Sequence, residues 1–458
     1  MRTYLYSLLF AFVYVFPIAS ARVLYEDDIR RSVVNGAQNW LGEGRQLMAG
    51  IHYLLNFGTE VFNLSPLTQF LGLAALCFAG CLFVRKYATG FPMYLRVLCV
   101  VSLFVSPFFL ENLAFGFESV GFCLSLALAL LSCCVPDDAP AHWAVIAPLV
   151  CTFLLLCIYQ ASLGAVFIAV LLALYMRPER YGLFLSRVGG VLLGTCAYML
   201  SVARTVVQEG HAGEHSAYGF SLDLFTANLS AYLGEYGRLF FSDRNVAVFV
   251  LFIAVVAACV ISAMLRGKRW TVVLWAVSVV MSVLPLCVLE NAVVSPRVFL
   301  SFNLVFFFSV MMLSELCLRH PRVVCLPVLV MLWAFGMSAL FGNLLVAQDR
   351  YERYVVSCIA HDLGKLQIPR DAEFYYNGNP IVCLEAVKAG KKYKLFNDLN
   401  NTMFRTDRVF WKSILSHYLH RVLPKKVVVP EKKEYPILVS HDLYFIAGDG
   451  KHVLIYIR

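Results

Sequence analysis

The sequence has few charged residues for its length. Only 15% of its 458 residues are charged, whereas 60% are hydrophobic and the mean hydropathy is +0.72. A soluble domain usually carries about 25% charged residues. Because so much apolar surface cannot be buried in one water-soluble core, we expect lipid to be the solvent for most of the chain.

The sequence also lacks the motifs of several other protein classes. It has 15 cysteines but no Cys-x-x-Cys pair, which argues against a zinc site. The net charge of +9 is not gathered into a basic patch with interleaved aromatic residues, so no nucleic-acid partner is expected. Cys358 and Cys383 fall in the polar tail, where they would either pair as a disulfide outside the cytoplasm or stay as two free thiols.

What the sequence does contain is a series of long apolar runs, most of them near the ~20 residues that a helix needs to cross a bilayer. They lie near residues 4–20, 66–84, 91–110, 119–135, 142–159, 161–176, 183–203, 246–265, 271–289, 299–318 and 323–346. The sequence therefore predicts an all-α polytopic membrane protein with about eleven transmembrane helices. The first run resembles a signal peptide ending at Ala21, but its length favours a retained helix.

The basic residues predict which side of the membrane each loop faces. If the amino terminus is cytoplasmic, the short inner loops carry most of the clustered Lys and Arg, as the positive-inside bias requires. These residues are Arg2, Arg85, Lys86, Arg177, Arg180, Arg266, Lys268, Arg269, Arg319 and Arg322. We therefore predict that the amino terminus lies inside the cytoplasm and the carboxyl terminus outside it.

The longest polar segments fall on the predicted outer side. They are a large first outer loop, residues 21–65, and a tail, residues 347–458. The tail has helical spacing over 349–365 and later alternates apolar residues around Gly448-Asp-Gly450, a hairpin-turn signal. We predict a transmembrane domain over residues 1–346 and a small α+β soluble domain in the tail.

The first outer loop holds the densest group of residues suited to chemistry. Asp27 and Arg31 are four apart, so they would face one another on a helix, and Asp28 lies beside them. The plainer interpretation is a solvated ion pair next to the membrane. A carboxylate can also take the proton of an attacking sugar hydroxyl, while arginines hold the phosphate of a leaving group. The loop therefore has the residue types that a glycosyl transfer requires, and both interpretations stay open.

Other polar residues gather at the predicted outer ends of several helices and in the first loop. Each of them alone is explained equally well by helix capping or by anchoring at the membrane surface, but together they predict a shared polar cavity. These residues are Trp40, Glu43, Arg45, Glu111, Asn112, Glu118, Tyr159, Gln160 and Arg297. Residues 47–62 additionally predict an amphipathic helix lying at the interface.

Six short motifs stand in the first outer loop and at the predicted outer ends of helices. They are Tyr25-x-Asp27-Asp28-x-x-Arg31, Asn39-Trp40, Gly44-Arg45, Leu64-Ser65-Pro66-Leu67, Pro107-Phe-Phe-Leu-Glu111-Asn112 and Tyr159-Gln160-Ala161. Together they resemble the serotype-converting type II glucosyl transferase family, membrane enzymes that modify bacterial O-antigen. The resemblance covers roughly residues 20–345. The departures are Gln46, where the family commonly has Pro, and 114–118, where it commonly has an Arg and an Asp.

The resemblance implies a GT-C-like fold and transfer of glucose from a polyprenyl-phosphate donor to lipopolysaccharide O-antigen, on the periplasmic face of the bacterial inner membrane. It implies that Asp28 or Asp27 is the general base and that Arg31, Arg45 and Arg297 bind the donor phosphate. The remaining polar residues of the cavity would contact the substrates. A small flippase and a donor-loading glycosyltransferase are the implied partners. No cofactor is expected besides the lipid-linked donor, and a divalent metal ion stays open.

Three other functions stay open at this point. The first is a GT-C enzyme with another sugar or acceptor, such as a glycosylase of proteins or teichoic acids. The second is a flippase or transporter of lipid-linked sugars, which would place ionisable residues near the bilayer midplane. The centres of the predicted spans contain almost no Asp, Glu, Lys or Arg. The third is a non-catalytic scaffold, in which Asp27 and Asp28 would be replaceable without effect.

Overall fold

Helices dominate the structure, which is a computed structural model. It describes residues 1–25, 27–31, 38–136, 139–206, 221–240, 246–265, 267, 270–366, 368–369, 372–400, 435–449 and 451–458. The predictions that rest on Arg266, Lys268, Arg269 and Gly450 lie outside these residues.

The described residues form the following α-helices, in chain order. They are α1 (Arg2–Ala21), α2 (Asp27–Arg30), α3 (Gln38–Gly42), α4 (Gln46–Asn56), α5 (Leu67–Tyr87), α6 (Met93–Ser102), α7 (Phe109–Ala114), α8 (Ser119–Leu131), α9 (Trp143–Leu156), α10 (Leu163–Met176), α11 (Tyr181–Tyr198), α12 (Leu222–Phe240), α13 (Val246–Leu265), α14 (Trp270–Met281), α15 (Phe302–Cys317), α16 (Cys325–Lys365), α17 (Leu384–Lys392) and α18 (Leu395–Leu399). Short 3₁₀ turns lie at Gln160–Ser162, Pro178–Arg180, Leu284–Leu286, Pro296–Ser301 and Pro321–Val324. A π-helical turn, Met199–Ala203, and an α-helical turn, Arg204–Val206, follow α11.

The chain divides into two compact units that do not follow a single cut along the sequence. The first unit contains residues 1–22 and 35–342, and the second contains residues 23–34 and 343–458. Helix α16 runs through residue 346, where the tail was predicted to begin, without a break. A short part of the predicted first outer loop therefore belongs with the tail.

Many helices of the first unit are apolar. Five helical segments among the described residues are long and apolar enough to cross a membrane, namely Arg2–Ala21, Leu67–Tyr87, Pro178–Ala203, Pro296–Cys317 and Pro321–Lys365. Shorter apolar helices lie at Met93–Ser102, Ser119–Leu131, Trp143–Leu156, Gln160–Met176, Ile253–Leu265 and Trp270–Leu286. The prediction of a mainly helical chain with several apolar helices is confirmed. The count of about eleven spans stays a prediction, because a helix of 10–17 residues is short for a bilayer.

Helix α1 is packed into the first unit. The Tyr14 hydroxyl donates a hydrogen bond to the carbonyl of Ser106 at 3.2 Å, and Ser338 donates one to the carbonyl of Tyr14. Gly342 lies so close that a β-carbon there would stand 2.4 Å from the Pro17 carbonyl oxygen. Helix α1 is thus in contact with several segments of the first unit, and its retention stays a prediction.

Small residues also bring α9 and α11 together. A β-carbon added at Gly190 would lie 2.3 Å from the carbonyl oxygen of Val145, and one added at Gly194 would lie 2.5 Å from that of Leu149. Glycines spaced four apart let helix backbones approach closely, as is common in membrane proteins. The pair therefore fixes how these two helices pack.

The second unit contains a four-stranded sheet in the order β1-β4-β3-β2, with β1 at Glu373–Gly378, β2 at Ile437–Ser440, β3 at Tyr444–Gly448 and β4 at His452–Ile457. Strands β3 and β4 pair antiparallel with Gly448 opposite Val453, which confirms the predicted hairpin, and β1 pairs parallel to β4. One face of the sheet packs against the end of α16. That core includes Val355, Ile359, Phe374, Ile446 and Ile455.

Two expectations about local structure are refined. The amphipathic helix predicted over 47–62 ends at Asn56, because Phe57 adopts a left-handed conformation with φ of 54°. The exposed side chains at its end are apolar, including Leu54 at 72% exposure and Phe57 at 95%. Cys358 and Cys383 are both free thiols, as the second of the two alternatives expected.

Candidate functional site

The predicted site residues are divided between the two units. Asp27, Asp28 and Arg31 belong to the second unit. The other predicted residues belong to the first, namely Trp40, Glu43, Arg45, Glu111, Asn112, Glu118, Tyr159, Gln160 and Arg297.

The Gly44-Arg45 motif ends helix α3. Gly44 has a φ of 76°, a backbone conformation that residues with a side chain rarely adopt, so glycine suits this position. The amide of Gly44 bonds to the carbonyl of Leu41 at 3.1 Å, and that of Arg45 bonds to the carbonyl of Trp40 at 2.8 Å. This is the Schellman pattern of helix ends. The turn brings Trp40 and Arg45 side by side.

The side chains of Trp40 and Arg45 meet at Glu118. Trp40 Nε1 donates to Glu118 Oε1 at 2.7 Å, and Arg45 Nη1 lies 3.5 Å from Glu118 Oε2. Arg45 Nη1 is also 3.2 Å from Glu43 Oε2, and its guanidinium lies 5.1 Å from the centre of the Tyr159 ring. Since Glu118 is only 4% exposed, its charge needs such partners. Glu118 therefore holds Trp40 and Arg45 in place.

Gln160 connects this cluster to the end of α11. Its amide nitrogen donates to the Glu43 carbonyl at 2.9 Å and to the Tyr198 hydroxyl at 2.8 Å, and its amide oxygen accepts from Arg45 Nε at 3.4 Å. The Tyr198 hydroxyl in turn donates to the carbonyl of Gly44 at 3.1 Å. Both ends of the amide are thus occupied, which fixes the turn that carries Glu43 and Arg45.

Helix α4 is attached to the same region. The amide of Leu47 donates to the carbonyl of Cys157 at 3.0 Å, so the start of α4 lies against the turn that precedes Tyr159. The His52 ring stacks on Trp40 at 4.4 Å between centroids, and its Nε2 lies 2.9 Å from the carbonyl of Phe117. His52 thus supports Trp40 from the side of α4.

Arg297, Glu111 and Asn112 form a neighbouring part of the first unit. The Asn112 amide donates to the carbonyl of Arg297 at 3.1 Å, and the Arg297 guanidinium lies 5.7 Å from the centre of the Phe115 ring. Glu111 is 3% exposed and Asn112 is fully buried. Ser301 Oγ donates to the carbonyl of Ala161 at 3.4 Å, which links this part to the turn bearing Gln160.

The first unit also contains an apolar cavity. It is bounded by the segment before α7, the end of α12 and the helices α13 to α16. Its lining is almost entirely apolar and includes Pro107, Phe240, Val256, Trp275, Phe302, Val305, Phe306, Val330 and Trp333. The cavity and the polar residues described above therefore both belong to the first unit.

The acids of the second unit lie on the short helix α2. The Asp28 side chain is fully buried, and its Oδ2 accepts a hydrogen bond from the Tyr25 amide at 3.5 Å, whereas Asp27 is partly exposed. Arg31 is 4% exposed. The Tyr25 hydroxyl donates to the carbonyl of Leu399 at 2.9 Å, which fastens this segment to α18.

The comparisons with known proteins bear directly on these motifs. A family model described as "Glucosyl transferase GtrII" matches residues 16–313. The chain belongs to the GtrII glucosyl transferase family. An uncharacterised 55.3 kDa protein in the gtrB 5′ region of Salmonella phage P22 is 30% identical over 244 residues. That alignment covers 51% of this chain and 49% of the phage protein, so the chain spans about half the length of this relative. No solved structure matches.

Membership in the GtrII family confirms the resemblance predicted from the motifs. The structure also adds two residues that the sequence did not single out, Tyr198 and His52. Tyr198 lies inside an apolar run without a motif, and the only signal for His52 is a histidine within an amphipathic helix. The assignment of Asp27 or Asp28 as the base, and of Arg31, Arg45 and Arg297 as phosphate ligands, stays a prediction.

Proposed function

We propose that this chain is a membrane glucosyltransferase that moves a glucosyl residue from a polyprenyl-phosphate donor to lipopolysaccharide O-antigen on the periplasmic face of the inner membrane. Family membership supports the glucosyl transfer. The donor, the acceptor and the side of the membrane are our inference from the chemistry of the site and from the outer position predicted for its loops.

The arrangement around Arg297 is the observation that carries the proposal. A donor made of a sugar, a phosphate and a long hydrocarbon chain needs polar groups, a cation and an apolar path in succession. The first unit contains these three elements: the Glu118 cluster, the Arg297 guanidinium beside the Phe115 ring, and the apolar cavity lined by Phe302. Arginine binds phosphate through two parallel hydrogen bonds, which suits Arg297 to this role.

Arg45 takes a different part in this proposal. It lies within 3.5 Å of Glu118 and 3.2 Å of Glu43, so two carboxylates already offset its charge. We infer that Arg45 mainly holds Glu43, Trp40 and Gln160 in position and that phosphate binding is its second role.

The reaction requires one proton transfer. The acceptor hydroxyl oxygen forms a bond to C1 of glucose, the bond between C1 and the phosphate oxygen breaks, and polyprenyl phosphate leaves. The hydroxyl proton passes to the carboxylate of Asp27 or Asp28. Asp27 has the better access because it is partly exposed, whereas Asp28 is buried.

The test is transfer by purified protein given polyprenyl-phosphate glucose and O-antigen, with Asp27→Asn and Asp28→Asn examined separately. We expect one of the two variants to lose about 10²–10⁴-fold in rate, as the loss of a general base does. Glu60→Gln is the matched control, because Glu60 is an exposed acid of the same predicted loop. Normal rates in both aspartate variants would contradict the assignment of the base.

The same assay separates the proposal from its rivals. Transfer of another sugar, or transfer to protein or teichoic acid in place of O-antigen, would identify another GT-C-like enzyme. Movement of the lipid-linked sugar between leaflets without any product would identify a flippase. The proposal predicts that mass spectrometry finds O-antigen heavier by a hexose only in cells that carry the gene.

The partners follow from the donor. Polyprenyl-phosphate glucose must be made by a donor-loading glycosyltransferase and brought to the outer leaflet by a small flippase.

A further inference from the structure

A pocket lined by arginines lies at the far end of α8 from Glu118. It forms where α5 ends and where α10 is followed by α11. Three arginines line it, Arg177, Arg180 and Arg187, together with Tyr87, Leu183 and Phe184. The proposed transfer reaction makes no use of it.

Tyr87 organises this pocket. Its hydroxyl donates to the carbonyl of Cys133 at 2.8 Å, and Arg187 Nη2 donates to the same oxygen at 3.4 Å. Arg177 Nη2 donates to the carbonyl of Lys86 at 2.9 Å, and its guanidinium lies 5.5 Å from the centre of the Tyr87 ring. Two of the arginines are thus positioned by backbone carbonyls around one aromatic ring.

The pocket has an excess of positive charge. Among the described residues that line it there are three arginines and no carboxylate. Arg187 is only 6% exposed, so its charge is poorly screened by water. Among the described residues, two carboxylates lie on adjoining segments: Glu179 is exposed, and Glu315 accepts a hydrogen bond from the Tyr175 hydroxyl at 2.7 Å. The lining therefore suits an anion with several oxygen acceptors.

An apolar surface continues from the pocket along α11. Tyr181, Leu185 and Leu192 of that helix are 57%, 52% and 53% exposed, as residues facing hydrocarbon would be. A free anion would make no contact with this apolar surface, whereas the acyl chains of a lipid would cover it. Basic pockets between transmembrane helices on the cytoplasmic side bind anionic headgroups in other membrane proteins.

We propose that this pocket binds the headgroup of an anionic phospholipid of the cytoplasmic leaflet. The phosphate oxygens accept hydrogen bonds from Arg177, Arg180 and Arg187, and the acyl chains lie along Tyr181, Leu185 and Leu192. The site is separate from the candidate transferase site, so it stands whether or not the proposed reaction is correct.

Native mass spectrometry of the full chain in detergent tests the proposal, with phosphatidylglycerol as the probe. We expect retained phosphatidylglycerol on the wild type and about tenfold weaker binding for Arg180→Gln and for Arg177→Gln, because each substitution removes one charge-assisted contact. Thermal unfolding with added lipid gives a second readout, in which phosphatidylglycerol raises the Tm of the wild type more than that of either variant.

Arg322→Gln is the matched control. Arg322 is an exposed arginine in a 3₁₀ turn that begins with proline, as Arg180 is, and it lies at the same predicted membrane side. Binding should be unchanged in this variant. Three results would overturn the proposal: equal retention of phosphatidylcholine, equal stabilisation by inorganic phosphate, or an equal loss in Arg322→Gln.

Discussion

Glu118 is the residue on which the polar cluster of the first unit converges. It accepts hydrogen bonds from Trp40 and Arg45, and it lies at the start of α8. The sequence drew attention to Glu118 because it departs from the family pattern. The structure shows what its longer side chain contacts, which hydropathy and motif spacing cannot reveal.

The bond between Trp40 and Glu118 gives a prediction at the residue scale. Trp40→Phe keeps an aromatic ring against His52 but leaves a buried carboxylate without one donor. Hydrogen bonds to charged groups contribute roughly 1.5–3 kcal/mol, so we expect a lower Tm in detergent and slower transfer. Trp270→Phe is the control, since Trp270 is 78% exposed and should change neither. An unaltered Tm for Trp40→Phe would show that this bond contributes little.

Some of the site was visible in the sequence and some was not. Trp40, Arg45, Glu118 and Gln160 stood in motifs or at the ends of apolar runs, and the structure brings them together. Tyr198 was hidden because a tyrosine within an apolar run looks like any other buried or interfacial aromatic residue. Its role depends on a hydrogen bond to Gly44, which is distant in sequence.

At the scale of elements, hydropathy located the helices well and their ends less well. Every predicted apolar run coincides with an apolar helix. The helix predicted over 47–62 stops early at Phe57, since a residue in the left-handed region cannot continue an α-helix. Strand β1 was missed because Glu373, Asn377 and Gly378 weaken its apolar pattern, and its parallel pairing with β4 is a long-range contact.

The close approach of α9 and α11 gives a prediction at this scale. Gly190→Ala places a methyl group against the Val145 carbonyl and forces the helices apart, and overpacking of this kind costs about 1–3 kcal/mol. Gly189→Ala is the neighbouring control, because nothing lies within 4 Å of its added β-carbon. We expect thermal unfolding in detergent at a lower Tm for Gly190→Ala alone. Equal behaviour of the two variants would contradict this packing.

At the scale of the whole molecule, the basic loops predict which way the chain crosses the membrane. Alkaline phosphatase fused after Arg458 should be active, because that enzyme folds only outside the cytoplasm. Green fluorescent protein fused after Arg180 or Arg322 should fluoresce, because both residues are predicted to face inward. A fluorescent fusion after Arg458 would reverse the predicted orientation.

The division of the chain into these two units could not be predicted from the sequence. Residues 23–34 precede most of the apolar runs, yet they belong with residues 343–458, and Tyr25 bonds to Leu399. No local pattern encodes such a pairing, because it depends on contacts between segments more than 300 residues apart.

This pairing sets the rule for exchanging parts with relatives. In a chimera that swaps only the carboxyl-terminal tail, segment 23–34 of this chain would have to pack against the tail of the relative in place of its own. Swapping 23–34 and 343–458 together would move one intact folding unit, with Asp27, Asp28 and Arg31 inside it. A recombinant built in this way would transfer the predicted base along with the tail.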